Sequence, residues 1–370
     1  MKTLFPAAED ATRITSLDGL RAVAILLVVF SHLLGTRNFP GREWLRYTGD
    51  LGNLGVRVFF VISGFLITQL LLRELELTGT ISLRRFYLRR ACRIFPAFYV
   101  CLGVLALLDA GHVLKLHPYD LLCAGTYTIN YRTAVERSWN VGHLWSLAVE
   151  EQFYLLWPAA LRLLGRSPAL AAAGAVVVLA PLVRLATWRY FPAGLPGMKW
   201  QFQTVCDSLA TGCLLAGLQG WLAGQAGGRC HRMLSSNAML LLPGLLLVLN
   251  WLDAGHPRWN FALGQTGLNF GTALLLQHCL MQPRKWAGRA LNWRPLAVLG
   301  VLSYSLYLWQ QLFLNHYATG WMCAFPWNVI LALGAAYLSY ALVERPVLDL
   351  RRKYCVRFSP SAPRGKRGPG

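Results

Sequence analysis

The sequence predicts an all-α polytopic membrane protein, a bundle of about ten transmembrane helices, and three observations predict it. Hydrophobic residues fill 55% of the 370 positions and charged residues only 14%, against roughly a quarter charged in soluble domains. The mean hydropathy is +0.40. The charges that remain stand in short clusters between long uncharged runs, the pattern of a chain solvated mainly by lipid.

Crossing a bilayer takes roughly 20 mainly apolar residues in a helix. Runs of that order fall near 17–36, 53–72, 94–112, 144–164, 169–188, 202–222, 236–252, 260–281, 296–316 and 326–348. The first begins after Leu17, contains Arg21 and has no small-residue cleavage site behind it, so it is expected to be a retained helix and not a cleaved signal peptide. Residues 1–354 are expected to form one transmembrane domain, and 355–370, rich in Pro, Gly, Lys and Arg, a disordered basic cytoplasmic tail.

Orientation follows from the basic residues. Arg73, Arg84, Arg85, Arg89, Arg90 and Arg93 follow the second run, Arg162 and Arg166 the fourth, and Arg229 and Arg232 the sixth. Arg284, Lys285, Arg289 and Arg294 follow the eighth, and Arg351, Arg352 and Lys353 the tenth. Every second connection is therefore basic, which places that set and both termini in the cytoplasm. The loop holding Arg37, Arg42, Glu43, Arg46 and Asp50 is the imperfect member of the alternate set. The formal net charge of +20 is thereby assigned to loops facing anionic lipid, not to a face for nucleic acid. The nine cysteines are scattered without CxxC or other metal-ligand spacing, so no metal is expected.

Ionisable groups at bilayer depth cost about a few kcal/mol each on insertion scales, which makes them functional candidates. Arg21 and His32 lie eleven positions apart in the first run, close to three helical turns and about 16 Å of rise, so they share a face. Arg21 would lie near the cytoplasmic mouth and His32 in the outer half. The structural alternative has Arg21 reaching to headgroups and His32 bonding a neighbouring helix. In the fourth run, His143, Glu150 and Glu151 enter from the outer side, and a carboxylate beside His32 would orient it as a general base. The adjacent glutamates point about 100° apart, so one of them could equally face interfacial water. Arg89, Arg90 and Arg93 form Arg-Arg-x-x-Arg, a fork suited to the phosphates of a coenzyme A thioester or, alternatively, a cytoplasmic anchor.

The chain resembles the acyltransferase-3 family of membrane-bound acyltransferases along almost its whole length. The resemblance rests on Leu17-Asp18-Gly19-Leu20-Arg21-Ala22-Val23-Ala24 followed by His32, on the run from Gly55 to Ile67, and on Arg89-Arg90-Ala91-Cys92-Arg93-Ile94-Phe95-Pro96. It continues through the run from His143 to Tyr154, Asp207-Ser208-Leu209 with Gly212, Ser303-Tyr304-Ser305-Leu306-Tyr307-Leu308-Trp309 and Glu344-Arg345-Pro346. After Tyr-Leu-Trp many members carry His where this chain has Gln310 and Gln311. Some members also append a soluble hydrolase-like domain, so a separate extracytoplasmic partner is an expectation here.

The resemblance implies transfer of an acyl group, acetyl before others, from cytosolic acyl-CoA through a bacterial inner membrane to a carbohydrate hydroxyl on the outer side. It implies acyl-CoA as co-substrate, with no permanently bound cofactor, held by Arg89, Arg90 and Arg93 with Arg21. His32 would be the base or acyl carrier, oriented by Glu150 or Glu151. Asp207, His143 and Ser63 would bind the acceptor, a surface glycan or lipid-linked sugar. The alternative from another class is a secondary transporter or flippase, whose intramembrane His, Glu and Arg would mark a substrate path. A transporter of that kind should show matching halves, and no duplication is evident in the sequence.

Overall fold

The computed structural model describes residues 15–40, 48–133, 135–191, 198–225, 227–255 and 260–356. Every run expected to be a span lies on a helix. These are α1 (Thr15–Leu33), α2 (Leu51–Thr78), α3 (Leu83–Ala110), α4 (Leu144–Leu164), α5 (Arg166–Tyr190), α6 (Phe202–Gly224), α7 (Leu242–Gly255), α8 (Gln265–Met281) and α9 (Arg294–Phe313). The tenth run is a rod built of α10 (Trp327–Ser339), a π-helical turn (Tyr340–Glu344) and α11 (Arg345–Val356). Among the described residues no strand occurs.

Six of these helices are both long and apolar enough to cross a membrane: α1, α2, α3, α5, α9 and the final rod. The other four miss for visible reasons. α4 is diluted at mid-length by Glu150, Glu151 and Gln152, and α6 carries Asp207 and Ser208. α7 has 14 residues and α8 has 17. Part of the connection between α1 and α2, residues 41–47, and most of the expected tail, residues 357–370, lie outside the described residues. The helix α11 itself runs to Val356, past the position where the tail was expected to begin.

α2 sits at the centre, with 78% of its apolar window buried, whereas α5 buries 28% and is left to face lipid. In lipid, helices associate through close packing and not through the hydrophobic effect, so small residues mark the contacts. Gly64 of α2 and Gly212 of α6 supply one: a Cβ on Gly64 would run into the Leu209 carbonyl, and one on Gly212 into the Val61 carbonyl. Gly300 of α9 lies equally tight against the backbone of Asp18 on α1. The ends of α2 are closed by the Asp50 side chain, which accepts from the Asn53 N–H at 2.9 Å, and by Gly79 in the left-handed region at φ 73°.

Two ends of the bundle are tied together separately. At one, the Ser16 hydroxyl bonds Asn292, Arg166 pairs with Glu76 at 3.0 Å and Arg351 bonds the Arg89 carbonyl. At the other, Arg37 donates to the Thr319 carbonyl and the Phe325 N–H to the Arg37 carbonyl. There the connection between α3 and α4 folds over the bundle as three short helical turns, Asp120–Gly125, Ile129–Tyr131 and Trp139–Gly142. Buried Asp120 fastens it by accepting from the N–H groups of His117 and Ser138 at 3.0 and 2.9 Å.

Buried polar clusters join the middle of the bundle. Arg57 of α2 is wholly enclosed and donates to Ser208 of α6 at 3.0 Å and to Gln265 and Asn269 of α8 at 2.5 and 3.2 Å. Arg184 of α5 pairs with Asp207 of α6 at 3.0 Å, both side chains fully buried, and the Thr266 hydroxyl donates to the same carboxylate at 2.7 Å. The expectation that Asp207 binds acceptor hydroxyls is therefore corrected. Its carboxylate neutralises a buried guanidinium between helices and lines neither of the cavities described below.

Candidate active site

A cavity of about 820 Å³ opens under the folded α3–α4 connection and is lined by His32, Asp50, Arg137, Trp139, His143 and Gln311 among others. Below it a narrow cavity of about 70 Å³ is lined by Arg21, Ser63, Glu150, Tyr154 and Tyr304. Val56 and Tyr307 line both, so the two spaces are neighbours with these side chains between them. Arg21 and His32 thus lie on one interior stripe of α1, at different depths.

The His32 ring is held from two sides. Nδ1 donates to the Gln310 side-chain oxygen at 2.7 Å, which leaves Nε2 without a proton and able to accept one. The indole of Trp139 packs against the ring edge-to-face at 5.3 Å. Trp139 is fixed in turn by donating to the Gln311 carbonyl at 3.1 Å and by packing on His316 at 4.3 Å. His316 is half-buried, and that burial pushes its pKa below the usual imidazole value.

Gln311 anchors the other histidine. Its side-chain oxygen accepts from the His143 backbone N–H at 2.9 Å and faces Nδ1 at 2.5 Å, while Nε2 faces the Leu308 carbonyl at 3.1 Å. His143, expected to bind acceptor, lines the large cavity with both ring nitrogens engaged by oxygens of α9, and so also locks the start of α4 to α9. Between the two cavities the Tyr307 hydroxyl donates to the His143 carbonyl at 2.8 Å and lies 2.6 Å from the Ser146 hydroxyl.

The glutamates lie elsewhere than expected. Glu150 is seven residues beyond His143, two turns and about 10 Å further down α4. It lines the lower cavity, bonds Ser63 and sits within electrostatic reach of Arg21, Arg90 and Arg93. Glu151 lies beside Glu150 and Arg90. Neither carboxylate meets His32, and the orienting partner is Gln310, so the assignment of Glu150 or Glu151 to that task is corrected. Ser63, expected to contact acceptor, hydrogen-bonds Tyr154 at 2.5 Å in the lower cavity, with Arg21 and not with His32.

The arginines divide. Arg90 turns inward, its guanidinium 4.9 Å from the Tyr154 ring centre, and Arg93, one turn on, lies near Arg21. Arg89 turns aside and pairs with Glu74 at 3.4 Å. Arg21 lines the lower cavity together with Glu150, and Arg90 and Arg93 stand behind it within electrostatic reach of both. Among the described residues no cluster of His, Cys, Asp and Glu able to hold a metal occurs.

Gln310 was visible in the sequence as a departure from the family pattern but not as a partner of His32; Trp139, Arg137 and Ser146 carried no signal of their own. Gln310→Leu is expected to lower acyl transfer by about tenfold to a hundredfold through loss of tautomer and ring orientation, at the lower end of what proton-transfer groups contribute. Gln310→His, which restores a ring donor or acceptor, should retain more activity than Gln310→Leu. Equal rates in wild type and Gln310→Leu would show that the hydrogen bond has no part in the chemistry.

Fold and cavities define a helical integral membrane protein with a polar, titratable interior running along α1. The chain belongs to the acyltransferase-3 family: the family model, described as an acyltransferase domain, matches residues 14–344. Over 362 residues it is 30% identical to the putative peptidoglycan O-acetyltransferase YrhL of Bacillus subtilis, the match covering 90% of this chain and 55% of that protein. It is 28% identical over 370 residues to the peptidoglycan O-acetyltransferase OatA of Listeria monocytogenes, with 90% and 56% covered. It is also 28% identical over 356 residues to the O-acetyltransferase OatA of Staphylococcus aureus, with the same coverage. The chain thus spans about half the length of these curated relatives. No solved structure matches it.

Proposed function

We propose that the chain moves an acyl group, acetyl before others, from acyl-CoA at the arginine end to a saccharide hydroxyl at the histidine end. The observation that carries this reading is the adjacency of the space beside Arg21 and the space beside His32, with Val56 and Tyr307 lining both. All ten helical segments cross the bilayer in this reading, with both termini and the arginines in the cytoplasm of a bacterial inner membrane. That orientation gives the arginines access to CoA and the large cavity access to surface glycan. The names of the relatives make peptidoglycan the first acceptor to try. Residues 1–354 act as the membrane unit, and a separate extracytoplasmic partner is engaged on the outer side.

Arg21, Arg90 and Arg93 bind the CoA phosphates as charge-assisted forks, with Glu150 balancing them. The pantetheine arm then reaches past Val56 and Tyr307 towards His32, about 16 Å above Arg21 along α1. There Nε2 of His32 removes the proton of the acceptor hydroxyl while the oxygen attacks the thioester carbonyl, and CoA leaves as its thiolate. In the two-step variant Nε2 attacks first and carries the acyl group as an acyl-imidazole before the acceptor oxygen displaces it.

Purified protein in proteoliposomes, given radiolabelled acetyl-CoA and peptidoglycan-derived oligosaccharide, is expected to place label on the saccharide. Passage of solute without label transfer would overturn the reading in favour of transport. In the same assay Arg90→Ala or Arg93→Ala should raise the KM for acetyl-CoA by about 10–100-fold, the equivalent of one charged hydrogen bond of about 1.5–3 kcal/mol. Arg89→Ala should raise it less, because that guanidinium is directed at Glu74. An unchanged KM in all three variants would remove the arginines from donor binding.

A further inference from the structure

We propose that the saccharide taken by the large cavity is anionic and that Arg137 holds its charge, a carboxylate or a phosphate ester. This rests on the proposed reading of that cavity as the acceptor's site. Arg137 lines the same space as His32 yet is only 8% exposed. Its guanidinium lies 4.2 Å from the centre of the Trp200 ring, so the indole covers one face, and Nη1 has no hydrogen-bond partner. Stacking satisfies the face of a guanidinium but not the N–H donors in its plane.

Asp120, within electrostatic reach of Arg137, accepts from two backbone N–H groups through Oδ2, while its Oδ1 lies 3.7 Å from Arg132 and accepts no hydrogen bond. Asp50, the carboxylate among the residues lining the cavity, caps α2. Lys115 lines the cavity as well, so fixed cations outnumber fixed anions in it. Burial pushes the Arg137 pKa down to about 10, with Tyr307 and Asp120 pulling the other way, and the group is therefore charged at neutral pH.

A neutral sugar would offer this cation hydroxyl dipoles while displacing its water, and a desolvated charge without a counter-ion is costly. An anionic substituent would meet the free Nη1 edge with charge-assisted bonds. Trp139 and Trp200 line the same cavity. Arg137 is enclosed within the cavity and not spread on a rim, which favours a substituent on a bound saccharide over a phospholipid headgroup.

The test compares three probes of equal length on the full chain in nanodiscs: a hexuronic acid tetrasaccharide, its methyl ester and a phosphorylated hexose tetrasaccharide. Wild type is expected to bind at least one anionic probe tenfold or more tighter than the ester, and the tighter of the two identifies the anion. Arg137→Gln should remove that preference, and Arg137→Lys should keep part of it. Equal binding of all three by wild type, which needs no variant to fold, would overturn the proposal, as would an unchanged preference in folded Arg137→Gln. Transfer from radiolabelled acetyl-CoA is scored separately in the same samples. Its absence would strike the acyl-transfer reading, while the binding preference would still decide the charge of the ligand.

Discussion

His32→Ala is expected to lower acyl transfer by about 10²–10⁴-fold, the range contributed by a positioned proton-transfer group, while the protein still folds and inserts. The ring is half-buried and faces the cavity; its hydrogen bond is to the Gln310 side chain and its packing partner is Trp139. Removing it enlarges a space that is already wet and polar and leaves the helix contacts of α1 at Gly19 and with Gly300 in place. The measurement is label transfer from acetyl-CoA, normalised to the monodisperse fraction on size exclusion. Imidazole added to the variant should recover part of the lost rate by standing where the side chain was. A near wild-type rate in His32→Ala would take the chemistry away from this residue altogether.

Asp207→Ala is expected to act on stability by a comparable factor, through a different cause. Its partner Arg184 is fully buried and would be left as a charge without its carboxylate, retaining bonds to the Thr204 carbonyl and to Thr266. Breaking such a pair from one side costs about 3–5 kcal/mol, equivalent to about 10²–10⁴ in the folding equilibrium. Thermal unfolding followed by fluorescence-detected size exclusion should show a large fall in the midpoint for Asp207→Ala. Replacing both partners together, as Asp207→Leu with Arg184→Met, should recover much of it because no charge is stranded. Undiminished stability with weakened saccharide binding would return Asp207 to the acceptor site.

The helices were legible in the sequence to different degrees at their two ends. The expected second run ended at residue 72, but α2 continues to Thr78, where Gly79 stops it. The third began at 94 in the sequence, whereas α3 starts at Leu83 and carries Arg84 to Arg93 on helix before the apolar stretch. Hydropathy locates the part of a helix that lipid can solvate and is blind to the turns that project beyond it. The depth of Glu150 was missed because a motif in one dimension groups His143 with Glu150, whereas two helical turns separate them in space. Asp207 was misassigned because burial and the identity of its partner, Arg184 on a different helix, are not encoded in its neighbours along the chain.

By itself the sequence determined that the chain is a helical membrane protein, where its long apolar helices lie, and that Arg21 and His32 share one face of the first. These follow from quantities that add up locally along a helix, the transfer cost of consecutive side chains and the rotation of about 100° per residue. Tertiary structure alone decided that Gln310 and not a glutamate holds His32, that Arg89 turns away from the group formed by Arg21, Arg90 and Arg93, and that Arg184 claims Asp207. Those pairings depend on the relative depth and rotation of helices far apart in sequence, set by contacts such as Gly64 on Gly212, where backbones touch because no side chain stands between them.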